Sequence, residues 1–360
     1  MDAEIVPHAA EYDRAERIPP TLIRQLAGQK LLGALLPREY CGSGMDMLTY
    51  GLLHEEMGRG CSSTRSLLTV HDMTAQAILR WGSREQREQW LPRLATGEVI
   101  AAFCLTEPGV GSDAKSVKTS ATAAGSSYIL NGRKKWITFG QIADVFLIFA
   151  QCEGRAVAFL VERDTPGVSV NPISGMLGVR ASMLAEIVLE ECRVPQANLI
   201  GRLGFGFSHI ASSALDLGRY TVAWGCVGIG QACLEASLSY ADEREQFGVR
   251  LIEHQLVQQM LTDMIVNVKA ARLLCYQAAR SKEARAPEAI METTIAKYFA
   301  STMATRAAGD AVQIHGANGC SGDYPVQRYL RDAKIMEIIE GSTQMQQITI
   351  AKYGYQEQVR

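Results

Sequence analysis

The hydrophobic pattern of this chain changes period twice, and that change limits the fold more than any single motif. Up to about residue 100, apolar residues recur at helical spacing. From about 101 to 205 the chain consists of short runs rich in β-branched and aromatic residues, such as V-A-F-L-V at 157–161, V-F-L-I-F at 145–149 and I-V-L at 187–189. From about 206 onward helical spacing returns in much longer stretches, at 221–244, 255–281 and 288–315. With the segment after Gly341 these make four long helices, the number a bundle needs. The expectation is an α+β chain with a helical domain at 1–100, a β domain (sheet or barrel) at 101–205 and a four-helix bundle at 206–360.

Local signals refine this order. Ser83 and Gln86 have capping-box spacing and open a helix toward Trp90 and Leu91. Asn131 and Gly132, between strand-like runs at 128–130 and 135–138, predict a hairpin turn. The 360 residues are 47% hydrophobic, enough for a large core, and a net charge of −2 gives no case for a nucleic-acid surface. Nine scattered cysteines without a C-x-x-C pair read as reduced thiols of a cytoplasmic protein. The six histidines show no metal-ligand spacing. No apolar run is long enough to span a membrane, and the acidic residues 1–5 do not read as a targeting segment.

One segment carries a candidate for acid–base chemistry. Ile335, Ile338 and Ile339 have helical spacing, so one face of this segment is expected to be buried. Gly341 reads as the residue ending that helix, and Ser342 or Thr343 can cap the next. Glu340 then lies at a helix–helix junction, where lost hydration raises a carboxyl's pKa toward neutrality and makes it a general base. Glu337, one turn earlier, competes for the role. A second segment, F-C-L-T-E-P-G-V-G-S-D at 103–113, runs from an apolar strand into a glycine-rich loop that can hold a ligand against backbone N–H groups.

These two segments, with K-W-I-T at 135–138, R-E-Q-F-G at 244–248, Q-I-H-G-A-N-G at 313–319 and R-D-A-K-I at 331–335, resemble the signature motifs of the acyl-CoA dehydrogenase family of FAD flavoproteins. The resemblance implies that Glu340 removes a proton while flavin N5 takes a hydride. It implies FAD contacts from Phe103, Leu105, Thr106, Gly111, Ser112, Trp136 and Thr138 on the isoalloxazine side. On the adenosine side it implies Ser342 and Gln344. Arg244, Gln246, Phe247, Gln313 and Ala317 (where relatives carry glycine) would serve the FAD of a neighbouring subunit. The protein would therefore be a homodimer or homotetramer. Ser112, Asp216 and Arg219 match residues that meet the thioester substrate, and an electron-transfer flavoprotein is the implied electron acceptor.

Two narrower stretches, G-R-Y-T-V-A-W-G-C-V-G at 218–228 and M-E-I-I-E-G-S at 336–342, join C-S-S-T-R-S at 61–66 in resembling one branch of the family. That branch makes hydroxymalonyl- or methoxymalonyl-ACP extender units in polyketide antibiotic biosynthesis. It implies a three-carbon unit on an acyl carrier protein, with 2-hydroxy-3-oxopropionyl oxidised to hydroxymalonyl. Arg65 could then pair with a product carboxylate; read without the resemblance, it is a surface arginine lying along the first helices. The alternatives are an ordinary short-chain acyl-CoA α,β-dehydrogenase and a catalytically silent scaffold that docks a carrier protein.

Overall fold

The computed structural model describes residues 1–358. Five helices come first: α1 (Ala9–Ala15), α2 (Pro20–Gly28), α3 (Met47–Gly60), α4 (Ser62–Trp81) and α5 (Arg84–Ala95). Their starts follow ordinary capping chemistry. Asp46 accepts the Thr49 N–H at 2.7 Å ahead of α3, and Ser83 with Gln86 forms the expected capping box ahead of α5. α4 is buried along most of its length although it carries Arg65, Thr69, His71 and Asp72. Burying a helix this polar is costly unless its polar groups find partners, so α4 is where function is to be sought.

A seven-stranded sheet follows, made of β1 (Ala101–Cys104), β2 (Ser120–Ala124), β3 (Ser127–Ile137), β4 (Val145–Cys152), β5 (Arg155–Glu162), β6 (Val168–Pro172) and β7 (Ala185–Pro195). β4 is the apolar centre, paired in parallel with β1 and antiparallel with β5. The hairpin expected at Asn131 and Gly132 is not there. β3 runs through both residues and pairs with β7 on either side of a bulge at Leu130/Gly132. The chain instead reverses at Gly125, with φ of 67°, between β2 and β3. Because 127–130 and 132–137 share one partner strand, turning at Asn131 would forfeit half of the β7 ladder.

The third block is helical. A π-helical turn at Gly206–Ala211 leads into α6 (Ser212–Glu243), which starts nine residues before the expected 221. A small hairpin of β8 (Glu245–Gln246) and β9 (Val249–Arg250) separates it from α7 (Gln255–Glu283) and α8 (Ala289–His315). Then come α9 (Val326–Met336) and α10 (Thr343–Gln358). α6 is buried nearly all round because it packs on α3 and α4 on one side and on α7, α8 and α9 on the other. It therefore joins the two helical blocks. Among the described residues, no helix is long and apolar enough to cross a membrane and no group of side chains could hold a metal ion.

The expected burial of Ile335, Ile338 and Ile339 holds in part: Ile335 and Ile339 are half-buried against the bundle core, and Ile338 is not. α9 stops at Met336, and Ile338 is 56% exposed. The buried side chains are Asp332, Ala333 and Met336. The cause is Asp332, whose carboxylate accepts the Val179 N–H at 2.6 Å and turns that face of α9 toward the β block.

Candidate active site

Glu340 occupies a tight link between α9 and α10 rather than a helix end. Its own φ is 55° and that of Gly341 is 92°, so two successive residues are left-handed. Glycine takes such a conformation freely, whereas a glutamate there is strained and must be held. The holding groups are visible. Arg219 Nε and Gln346 Nε2 each donate to the Glu340 carbonyl at 3.1 Å. Lys297 Nζ donates to the Gly341 carbonyl at 2.7 Å. The Thr343 N–H donates to the Glu337 carbonyl at 2.9 Å. Ser342 caps α10, its hydroxyl accepting the Met345 N–H at 3.4 Å.

Three cations therefore fix the backbone or field around Glu340, but none binds its carboxylate. Glu340 Oε2 is buried without a hydrogen-bond partner. It lies over Gly218 of α6, where any Cβ would collide with the carboxylate. Burial pushes the Glu340 carboxyl up to about 7, against the opposing pull of Arg219, Lys297 and Arg65. Such a group can take a proton near neutral pH. Glu337 is not equivalent, because it is paired with Lys334 at 2.6 Å on the outer side.

Arg65 is the chief surprise. It is 0% exposed, so the reading of a surface arginine is corrected. The cause is Gly225 of α6, which lets the Arg65 stem pass between the helices. Its guanidinium donates to Thr69 Oγ1 at 2.9 Å and lies 3.7 Å from Met336 Sδ, and its Nε has no partner. Among the described residues no carboxylate forms an ion pair with it; its guanidinium partners are Thr69 and Met336. Burial alone pushes its pKa down, while Glu340 is among the groups that push it back up.

The other sequence-predicted residues fall into two groups. Phe103, Leu105, Thr106, Gly111, Ser112, Trp136 and Thr138 lie on the sheet side. The Thr106 carbonyl accepts the Lys135 N–H at 2.9 Å, which brings the glycine-rich loop beside the strand bearing Trp136 and Thr138. Glu107 locks this arrangement: it accepts from Lys134, Lys118 and Thr119 while buried. Trp136, with φ of 62° at the end of the β3 bulge, is left 47% exposed. The β block is joined to α4 by Ser66, next to Arg65, which shares a 2.9 Å hydrogen bond with Ser182. Asp332 ties it from α9.

The second group stands elsewhere. Arg244, Gln246 and Phe247 form the β8–β9 hairpin, with Phe247 96% exposed. Gln313 and Ala317 are exposed at the end of α8. The two segments meet through Tyr240, which stacks on His315 and accepts a hydrogen bond from Asn318. No contact joins this end of the bundle to Glu340 among the described residues. Gln344 is exposed at the start of α10. Asp216 is paired with Lys282, with Oδ1 buried and unpartnered, while Arg219 faces Glu340.

Sequence reasoning missed Lys297, Gln346 and Gly218. Lys297 had a readable signal, a lone lysine amid small and apolar residues of a long helix. Gln346, in a run of polar residues, had none.

Comparison with known proteins identifies the family. Acyl-CoA dehydrogenase N-terminal, middle and C-terminal domains match residues 1–98, 102–192 and 204–354. The rat mitochondrial short-chain specific acyl-CoA dehydrogenase is 38% identical over 356 residues, covering 97% of this chain and 86% of its own. The structure of FkbI, for biosynthesis of the methoxymalonyl extender unit of the Fk520 polyketide immunosuppressant, is 33% identical with a TM-score of 0.90, covering 97% and 96%. A glutaryl-CoA dehydrogenase from Mycobacterium smegmatis in complex with FADH2 is 32% identical with a TM-score of 0.93, covering 98% and 90%. The chain belongs to the acyl-CoA dehydrogenase family. It is an oxidoreductase of that type, and FAD is its cofactor. The residues present fit FAD: a half-exposed indole and two threonine hydroxyls stand on adjoining segments of the sheet side, and the α9–α10 link carries a buried, unpartnered carboxylate oxygen.

Proposed function

We propose that this protein oxidises a small acyl thioester carried on an acyl carrier protein, taking 2-hydroxy-3-oxopropionyl to hydroxymalonyl during methoxymalonyl-type extender-unit synthesis. The observation that supports the reading is Arg65, a fully buried guanidinium that has no carboxylate partner among the described residues and lies within the field of Glu340. An alkyl acyl group gives such a cation nothing to pair with, whereas a carboxylate does.

The residues divide the work. Thr106, Trp136 and Thr138 would hold the ring of FAD, with Phe103, Leu105, Gly111 and Ser112 on the same side. When bound, FAD supplies the hydride acceptor, N5. Glu340, ionised above about pH 7, takes the proton from a hydroxyl of the hydrated aldehyde. The C–H bond breaks with its electron pair leaving as hydride, the O–H pair becomes the carbonyl of the new carboxyl as its proton passes to Glu340, and the carboxyl gives up its remaining proton to solvent as it ionises against Arg65. Arg219, Lys297 and Gln346 keep Glu340 in its strained left-handed conformation throughout. Asp216 with Lys282, and Ser112, stand toward the carrier arm. Arg244, Gln246, Phe247, Gln313 and Ala317 complete the FAD site of a neighbouring subunit, with Ser342 and Gln344 nearer the adenosine. The electron acceptor is an electron-transfer flavoprotein.

The 38% identity to a short-chain acyl-CoA dehydrogenase supports a second reading, α,β-desaturation of a short CoA ester. Anaerobic flavin bleaching separates the two. Bleaching by carrier-bound 2-hydroxy-3-oxopropionyl and not by butyryl-CoA is the expected result. Bleaching by butyryl-CoA alone returns the protein to desaturation, and a purified protein that binds no flavin supports a docking scaffold.

A further inference from the structure

The buried polar atoms of this protein that lack a partner are not evenly spread. Among the described residues ten lie on α3, α4 and α6: both ring nitrogens of His54, Thr64 Oγ1, Arg65 Nε, Asp72 Oδ1, Thr74 Oγ1 and Trp224 Nε1, with Glu55 Oε2, Asp216 Oδ1 and Ser237 Oγ further along the same helices. Buried polar groups are almost always satisfied, so such a concentration marks a place built to meet something polar.

The layer connects to the base. Glu340 lies over Gly218, whose carbonyl accepts the Thr221 hydroxyl at 2.9 Å. Thr221 is 3.0 Å from the Thr69 hydroxyl, and Thr69 accepts from Arg65. Beyond Arg65 stands His54, 0% exposed, within reach of its charge. The His54 ring is held edge-on against Tyr50, centroids 4.5 Å apart. Tyr50 is itself fixed, its hydroxyl donating to Asp72 Oδ2 at 2.8 Å and its ring stacked on Tyr220.

We propose that His54 acts with Arg65 as the subsite that receives the far end of the acyl group, and that the end it receives is a carboxylate. Arg65 supplies the charge and His54 a second N–H donor, while Tyr50 and Asp72 are positioning residues for the His54 ring. Burial, aided by Arg65, pushes the His54 imidazole well down, toward its neutral form, and burial pushes the Asp72 carboxyl well up, so Arg65 supplies the positive charge of this subsite. A neutral imidazole offers one donor and one acceptor, and here the protein uses neither. Met336, whose thioether is the other neighbour of the guanidinium, has a flexible side chain that can give way to an oxygen ligand. An alkyl end would leave the donors of Arg65 and His54 unpaired, the situation in which polar sites discriminate most strongly.

The proposal rests on the thioester reading above and is tested by direct binding. The flavin-loaded protein is titrated calorimetrically with malonyl-pantetheine and with butyryl-pantetheine. The expected preference for malonyl is at least about a hundredfold. His54→Leu should cut malonyl affinity about tenfold or more and leave butyryl affinity unchanged or improved, with flavin content intact. Equal affinity of the unmodified protein for the two ligands would overturn the proposal. So would an equal loss of both in His54→Leu. Should His54→Leu fail to fold, Arg65→Met applied to the same pair of ligands decides, since it must abolish the preference. Binding of neither ligand overturns the thioester reading, and this proposal with it.

Discussion

In the proposed reaction a single carboxylate, Glu340, is the base, and three features of its surroundings tune it. Burial without a hydrogen-bond donor raises the Glu340 pKa, and Arg219, Lys297 and Arg65 limit the rise to about 7. Only the ionised form is a base, so the rate of flavin reduction should climb as pH rises through about 7 and flatten above it; a flat profile between pH 5.5 and 8.5 would count against Glu340. Stability runs the opposite way. The folded protein holds the Glu340 proton more tightly than the unfolded chain, so stability falls as pH climbs from about 4.5 to about 7. Glu340→Gln removes that loss, and its unfolding midpoint should exceed the parent's at pH 8 by more than at pH 5. Gly218→Ala tests the space beneath the carboxylate. Alanine favours the α6 helix, yet its Cβ collides with Glu340, so turnover should drop at least about tenfold without loss of thermal stability. Undiminished turnover would show that the carboxylate does not work from that place.

At the scale of elements, the α9–α10 link is held by long-range contacts rather than by its own helical pattern. This is why the sequence revealed Glu340 and its junction but not which residues of 335–339 are buried. The isoleucine spacing was real, but Asp332 reaching the Val179 N–H sets the rotation of α9 instead. The same logic explains Asn131 and Gly132, a strong local turn signal overridden by the β7 ladder. It also explains Arg65, whose burial depends on a glycine 160 positions away in α6. Capping boxes, helix count and strand content are local properties and could be read; burial of a polar residue depends on which helix crosses it. Asp332→Ala should therefore cost about 1–3 kcal/mol by leaving the Val179 N–H and Arg328 without their partner. Denaturant unfolding measures this, and a loss under about 0.5 kcal/mol would deny Asp332 its role in joining α9 to the sheet.

Across the whole molecule, the predicted cofactor residues separate into a sheet-and-base group and a bundle-end group that do not meet within one chain. Phe247 is almost wholly exposed, and α7 and α10 carry exposed Leu256, Ile265, Val266, Leu273 and Ile348. Apolar surface on this scale fits a second copy of the chain. Light scattering should give a dimer or tetramer of the 39.3 kDa chain. Ile265→Glu combined with Leu273→Glu should reduce the oligomer and release flavin together. A monomer that keeps stoichiometric FAD would show that one chain completes the site.

The most direct test of the central claim is single-turnover reduction of the bound flavin in Glu340→Gln, with the parent protein as reference and carrier-bound 2-hydroxy-3-oxopropionyl as substrate. Glutamine keeps the shape and cannot accept the proton, so flavin content should be unchanged and the bleaching rate should fall at least about a thousandfold. Bleaching within tenfold of the parent rate would mean that Glu340 is not the base and that the proton leaves by another group.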